Sequence, residues 1–382
     1  SWTGRVDRLD VDGWRQLLTS SVPRGSTGGG SVAQWIDQNF GSRISGDLEV
    51  DTLEVPGVAS AAADLEMRFT ESQWIVSVQG SSIRGEILLP VDKQSGRSIV
   101  VDLEHLYLVA DDPELEADPI SAPSQSDPRE VTPLTLLVRS LYWGDLVLGT
   151  ARLETHATNE GWEIELVDID GPDLRLQARG DWSQVSEELS RSRMQGRLSS
   201  RNFNRLIRAT GYQAGLQAGQ ATVDFDLAWP GALLDFSLLR LNGSLDFTLR
   251  SGNIPQASAG AGRLLGLVSF SALPRRLMLD FRDVFSSGFQ FDTVDGRFSL
   301  AEGQATAERV EIASTAARIN LTGTTDMIAR TYDQSVVIEP VLGSTLPVIG
   351  GLAGGPVGAA AGFLLQSILG QPLKGVSQAS YA

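Results

Sequence analysis

The sequence predicts a mostly β protein with a few short helices, built on an extended, antiparallel-rich sheet. Three observations carry this expectation. Many runs alternate apolar and polar residues with period 2: WIVSV (74–78), EIELVDI (163–169), LRLQA (174–178), VDFDLAW (223–229), LDFTL (245–249), LMLDF (277–281) and RINLT (318–322). Leu, Val, Ile or Phe fill one phase and Asp, Arg, Thr or Ser the other, the signature of half-buried, mostly antiparallel strands. Gly and Asn punctuate the runs, as at Gly171-Pro172 and Asn242-Gly243, where turns are expected. Finally, the chain echoes itself.

The first echo is a strand leading into a short helix. GRVDRLDVDGW begins at Gly4 and GRLSSRNFNRL at Gly196. Gly4, Arg5, Val6, Asp10, Val11 and Asp12 match Gly196, Arg197, Leu198, Asn202, Phe203 and Asn204 at the same spacing. Asp or Asn at that point can cap a helix by accepting from a backbone N–H that has no partner within the helix. The second echo is a hairpin: EGWEIELVDIDGPDLRLQARGDW (160–182) resembles EGQATAERVEIASTAARINLTGTTD (302–326). A sheet unit used repeatedly favours an extended or solenoidal sheet over a closed sandwich.

Along the chain, residues 1–110 are expected to form the first stretch of sheet, with strand–helix units at its N-terminal end. Helices are placed near 12–20 and 31–40, with RGSTGGGS (24–31) as a flexible joint. Segment 111–133, DDPELEADPISAPSQSDPREVTP, is acidic and Pro-rich with no apolar period, so it reads as a mobile loop and a candidate boundary. The sheet resumes over 134–340, with helices near 202–214 and 257–270. Residues 341–373 read as an apolar helical hairpin and 374–382 as a truncated tail. The N-terminus has no basic segment followed by an apolar one and no initiating Met, so it is not a signal peptide. A mature product or an excised fragment is the expectation.

Composition narrows the function. The chain has 382 residues, 42% hydrophobic and 20% charged, enough to bury a sizeable core. Its net charge of −16 argues against nucleic acid, which needs clustered Lys and Arg, and against a broad electrostatic grip on anionic headgroups. The absence of cysteine removes disulfides, thiolate metal sites and Cys nucleophiles, and leaves the redox compartment open.

The usual catalytic signatures are missing. His105 sits in VDLEHLYLV in phase with Leu103 and Tyr107, so it is expected to point to the apolar face. His156 follows Glu154 near a strand end, and neither histidine has a metal-ligand spacing such as HExxH. Asp10 and Asp12 could be paired carboxylates, but the second copy holds Asn202 and Asn204 there. A helix cap survives that change and an acid/base pair does not. GSTGGGS lacks the Lys-Ser/Thr ending of a phosphate loop, and no G-x-S-x-G occurs. The reading is of a protein that is not an enzyme, with no catalytic residue, metal or cofactor.

The C-terminal region is oily and uncharged from Pro340 to Leu373. It divides at Gly354-Gly355-Pro356, and 356–369 would make about 21 Å of helix. A bilayer core needs roughly 30 Å, and a single span would have to carry Gly-Gly-Pro through lipid. Two readings stay open: a helical hairpin closing the end of the sheet, or a pair of short helices dipping into one leaflet. A helix with no polar face needs cover on every side, and protein or lipid can provide it.

Residues 263–373 resemble the C-terminal part of the YhdP proteins, within the AsmA-like group that includes TamB. LLGL (264–267), LPRRL (273–277), FDTVDGRF (291–298), ARINLTG (317–323), YDQSVVIEP (332–340) and LAGGPVGAAA (352–361) carry the resemblance. The N-terminal half matches more loosely, through GRVDRLDVDGW and the EGWEIEL…GDW hairpin. The whole chain is then expected to be the C-terminal portion of a much longer protein.

The resemblance implies an elongated, curled sheet forming an apolar groove, closed or flanked by C-terminal apolar helices. It implies phospholipid transport between membranes through the periplasm of a Gram-negative bacterium, this portion facing the outer membrane. The partners it implies are phospholipid acyl chains and, through the C-terminal helices, a membrane. The chain is expected to lack the family's inner-membrane anchor and to stop before a final strand. The alternative is a structural or assembly factor that aids outer-membrane protein or envelope biogenesis by strand pairing at the sheet edge. A groove would be lined by Trp74, Val76, Val78, Ile164, Leu166, Leu174, Leu176, Val223, Phe225, Leu245, Phe247, Leu277, Leu279, Phe289, Phe291, Ile319 and Leu321. Each could instead belong to a dry core. Membrane contact would fall to Leu346, Val348, Ile349, Leu352, Val357, Phe363, Leu364, Leu365, Ile368 and Leu369.

Overall fold

The computed structural model describes residues 1–11, 45–70, 73–90, 97–109, 126–209, 217–254, 289–315, 317–329, 331–341 and 379–381. Strand dominates, as the alternation predicts. The chain divides into two units. The first is Ser1–Tyr212 with Asp224–Asn242, and the second is Gln213–Val223 with Gly243–Ala382.

The first unit holds β1 (Trp2–Asp10), β2 (Ser45–Glu54), β3 (Ala61–Thr70), β4 (Gln73–Gly80), β5 (Ile83–Pro90), β6 (Ile99–Leu108), β7 (Leu134–Trp143), β8 (Leu146–Ala157), β9 (Gly161–Asp170), β10 (Leu174–Gln184) and β11 (Ser190–Ser200). Helix α1 (Phe203–Ala209) follows, and β12 (Gln217–Pro230) is divided between the units. Each strand from β1 to β11 pairs with its neighbours in the chain. Eight of these ten joins are antiparallel. Two joins are parallel, β1 with β2 and β6 with β7. These two are bridged by the long segments 11–44 and 109–133, because a parallel pair cannot be closed by a tight turn. The second unit holds β13 (Asn242–Ile254), β14 (Phe289–Ala301), β15 (Gln304–Ala313), β16 (Ala317–Asp326), β17 (Thr331–Pro340) and β18 (Ala379–Tyr381), antiparallel from neighbour to neighbour.

The hairpin echo is real geometry. β9–β10 and β15–β16 turn through equivalent bonds, Gly171 N–H to Leu174 O at 2.9 Å and Ser314 N–H to Ala317 O at 3.0 Å. Each pairing includes a register shift, at 178/180 in one and 307/310 in the other. α1 begins where the strand–helix echo predicts, and Asn202 Oδ1 accepts from Arg205 N–H at 3.4 Å as its cap. The expected extension of this helix to 214, the helices near 12–20, 31–40 and 257–270, Asp12, and the apolar hairpin at 342–373 lie outside the described residues. The expectation that no final strand follows is corrected. Ala379–Ile338, Ser380–Val337 and Tyr381–Val336 pair as β18 on β17.

The end of the acidic Pro-rich segment is built into the sheet margin. Pro128–Glu130 forms a 3-10 turn capped by Asp127, and Pro128 is buried beside Gly161. The core of the first unit gathers Val50, Leu65, Val78, Leu103, Val138, Leu146 and Leu174 from seven strands, with Leu206 and Ala209 of α1 packed against them. Fully buried Thr155 secures the start of β7: its Oγ1 accepts from Leu134 N–H at 2.7 Å and donates to Leu134 O at 2.9 Å.

The opposite face carries cross-strand Arg–carboxylate pairs. Arg5 meets Asp51 and Arg8 meets Glu54 across β1 and β2, each at 2.7 Å. Arg139 meets Asp102 across β7 and β6. Arg193 grips Asp226 and Arg197 grips Asp224 with two hydrogen bonds each, tying β11 to the second half of β12. Arg297 does the same to Asp246 across β14 and β13. The hydrogen bonds from Arg193 and Arg297 hold the carboxyls of Asp226 and Asp246 below the usual carboxylate range. Such exposed pairs are worth at most about 1 kcal/mol each, so they fix register more than stability.

Two outcomes are expected. Thr155→Val keeps the shape but strands the Leu134 backbone groups, and should lower the unfolding free energy by about 1–3 kcal/mol. Urea denaturation would show it as a lower midpoint at unchanged slope; an unchanged midpoint would refute the assignment. Arg297→Gln should cost under about 1 kcal/mol at neutral pH. A depressed folded-state pKa contributes stability above the unfolded value and loses it as pH falls. The gap between wild type and Arg297→Gln should therefore close once the pH drops below the ordinary aspartate range near about 4, and a gap independent of pH would contradict the pairing.

Candidate functional site: the apolar sheet face

Register places the alternating apolar residues on one face. In β3–β5, Trp74 lies between Phe69 and Leu89, Val76 between Met67 and Ile87, and Val78 between Leu65 and Gly85. The Phe69 and Trp74 rings lie 5.1 Å apart. Trp74 and Val76 are only half-buried, whereas Val78 is buried. In β8–β11, Ile164 faces Thr155 and Gly180, and Leu176 lies between Ile169 and Leu198. Leu174 faces Ser200. Ile164 and Leu174 are buried and Leu176 is half-buried. Val223 and Phe225 share one phase of β12, both half-buried, the former in the second unit and the latter in the first.

In the second unit, Leu245 faces Phe298 and Phe247 faces Gly296. The Phe247 ring stacks on Phe298 with centroids 5.5 Å apart and planes at 10°. Gly296 is needed beneath it, because a Cβ there would come within 2.5 Å of the Phe247 ring. Leu245 and Phe247 are half-buried. Ile319 lies between Ile312 and Ile338, and Leu321 between Val310 and Val336; both are fully covered.

Several predicted positions fall elsewhere because the pleat slips. At the β8–β9 irregularity Leu166 faces Glu154, and Val167 and Ile169 take over opposite Leu153 and Ala151. Phe289 and Phe291 are buried, but the remainder of β14 buries Val294, Phe298 and Leu300. The alternation changes phase there, near Ser251 of the facing strand, whose φ is 54°. The expectation for His105 is corrected. A register shift at Arg84/Gly85 separates Leu103, which is buried, from Leu106 and Leu108, which pack on the core. His105 and Tyr107 are left in the other phase, where Tyr107 stacks on Tyr142 at 4.2 Å. Leu277, Leu279 and all ten residues expected at a membrane, Leu346 to Leu369, lie outside the described residues.

Sequence reasoning missed a row of tryptophans at one end of the first unit's strands. Trp162 opens β9, Trp182 closes β10 directly opposite it, and Trp229 closes β12. All three are buried, and each indole N–H donates at the sheet end: to Val131 O at 2.9 Å, Ser190 Oγ at 3.1 Å and Ala232 O at 3.0 Å. The recurrent Gly-Trp and Asp-Trp at the ends of alternating runs was the available signal.

Within each unit the face is therefore a hydrocarbon surface with few hydrogen-bonding groups, partly open at about half of its named, described residues and backed by charged side chains. Such a surface can take up hydrocarbon by apolar contact alone. Among the described residues no helix is long and apolar enough to cross a membrane.

Comparison with known proteins agrees with this architecture. The YhdP protein family matches residues 2–382. The intermembrane phospholipid transporter YhdP of Escherichia coli strain K12 is 28% identical over 232 residues, which is 60% of this chain and 18% of that protein. The match thus spans less than a fifth of the relative's length. No solved structure matches. Matched along nearly its whole length, and with the alternating sheet its motifs imply, the chain belongs to the YhdP family.

Proposed function

We propose that this chain carries phospholipid acyl chains along the apolar faces of its sheets, as the outer-membrane-facing part of a periplasmic bridge between two membranes. It moves lipid without transforming it. The observation that carries the reading is the half-exposure of Trp74, Val76, Leu176, Phe225, Leu245 and Phe247 on a face whose reverse side is charged. The relative's activity, intermembrane phospholipid transport, supports the same reading.

The physics makes such a face useful. Each methylene exposed to water costs about 0.8 kcal/mol, so two acyl chains would cost on the order of 20 kcal/mol to cross water unaided. A continuous apolar track lowers that barrier with no reacting group and no headgroup-specific contact. The C-terminal apolar residues would meet or gate a membrane at its end.

Native mass spectrometry of the purified chain tests this. Bound phospholipid is expected, and Phe225→Asp with Phe247→Asp should reduce it several-fold while circular dichroism stays unchanged. Photo-crosslinkers at Trp74 and Leu176 should capture lipid. A lipid-free chain, with crosslinks instead to client strands at the sheet edges, would replace the reading with an assembly role.

A further inference from the structure

Exposed apolar side chains concentrate at the tryptophan end of the first unit. Leu234 is 95% exposed, Val185 62%, Leu189 58% and Phe236 56%, with Leu238 beside them. They occupy two turns: the β10–β11 turn at 185–189 and the loop 231–241. These turns are joined by Gly231 N–H donating to Ser190 O at 2.8 Å, and by Ser192 Oγ donating to Gly231 O at 2.9 Å.

Both tips fold on local hydrogen bonds. Val185 N–H donates to Leu189 O at 2.8 Å, and Gln184 Nε2 donates to Ser186 O at 2.7 Å. In the loop, Ala232 N–H donates to Asp235 Oδ2 at 2.7 Å, Asp235 N–H to Ala232 O at 3.0 Å, and Arg240 N–H to Ser237 O at 2.9 Å. Phe236 rests edge-on against Trp229, 5.4 Å between centroids. The Trp162, Trp182 and Trp229 row lies directly behind.

We infer that this end of the first unit is a bilayer-contact surface that inserts Leu234, Phe236 and Leu189 into phospholipid with zwitterionic headgroups. Hydrocarbon supplies no hydrogen bonds, and these tips pair part of their backbone internally, at Val185, Ser186, Leu189, Ala232 and Asp235. Indoles with an apolar body and a bonded N–H are the side chains suited to a membrane margin. Acidic residues outnumber basic ones in segments 181–189 and 231–241: Asp181, Glu187, Glu188 and Asp235 against Arg240. Contact therefore depends on apolar insertion, and anionic headgroups oppose it. The choice of lipid over protein as partner rests on the transport reading.

The chain contains no cysteine, so single labels report cleanly. An environment-sensitive fluorophore on Leu234→Cys should shift to the blue and brighten several-fold with phosphatidylcholine vesicles, and less as phosphatidylglycerol is added. The same dye on Arg175→Cys, an exposed back-face position, should not respond. With the reporter on Leu189→Cys, the Leu234→Asp, Phe236→Asp double variant should need about tenfold more lipid for the same response. A silent Leu234 label when vesicles are present, or a shift without lipid that grows with protein concentration, would overturn the inference, the latter by marking self-association. Lipid co-purifying with the double variant should match wild type. A responsive Leu234 label on a chain that carries no lipid would sink the transport reading and leave the contact surface standing.

Discussion

Every strand residue faces one of two sides, and this protein depends on keeping those sides chemically apart. Because the pleat repeats every two residues, a slip of one position would drive Arg and Asp into the apolar face and Leu and Phe into water. The bidentate pairs Arg193–Asp226, Arg197–Asp224 and Arg297–Asp246 act against that slip. Each is weak at an exposed site, but each is satisfied only in one register. The apolar partners Ile319, Ile312 and Ile338 state the same register from the other face.

Where the register does shift, the shift is local. Irregularities at Arg84/Gly85, Glu154/Thr155 and Ala178/Gly180 each move the inward phase by a residue, and the sequence supplies apolar residues in the new phase. Val167 and Ile169 replace Leu166, and Leu106 replaces His105. At Gly180 the facing Arg193 carbonyl oxygen sits where a Cβ would go, so only glycine permits the approach. Such bulges bend and twist a strand, which keeps a long run of hairpins from lying flat.

The two treatments of the apolar face have different consequences. Near α1 the chain covers its own hydrocarbon, with Leu206 and Ala209 seated on the cluster that holds Leu146, Leu148 and Leu174. At Trp74, Leu176, Phe225 and Phe247 the face is left partly open. An uncovered apolar surface is unfavourable in water, and where it is contiguous it is available to a hydrophobic partner. The buried tryptophan row and the exposed tips beyond it continue the same chemistry to the end of the strands.

The sequence by itself determined the strand-rich class, the strands whose alternation is clean, the β9–β10 and β15–β16 hairpins and the start of α1. Period-2 alternation, turn residues and the repeated hairpin are local properties, so they can be read from neighbours in the chain. Tertiary structure decided where the phase slips, and so the places of Leu166, His105 and Phe291. It also decided which apolar residues are covered, that Phe236 leans on Trp229, and that two distant turns meet through Gly231 and Ser190. Those outcomes depend on the strand opposite, whose register a single strand's own sequence does not state.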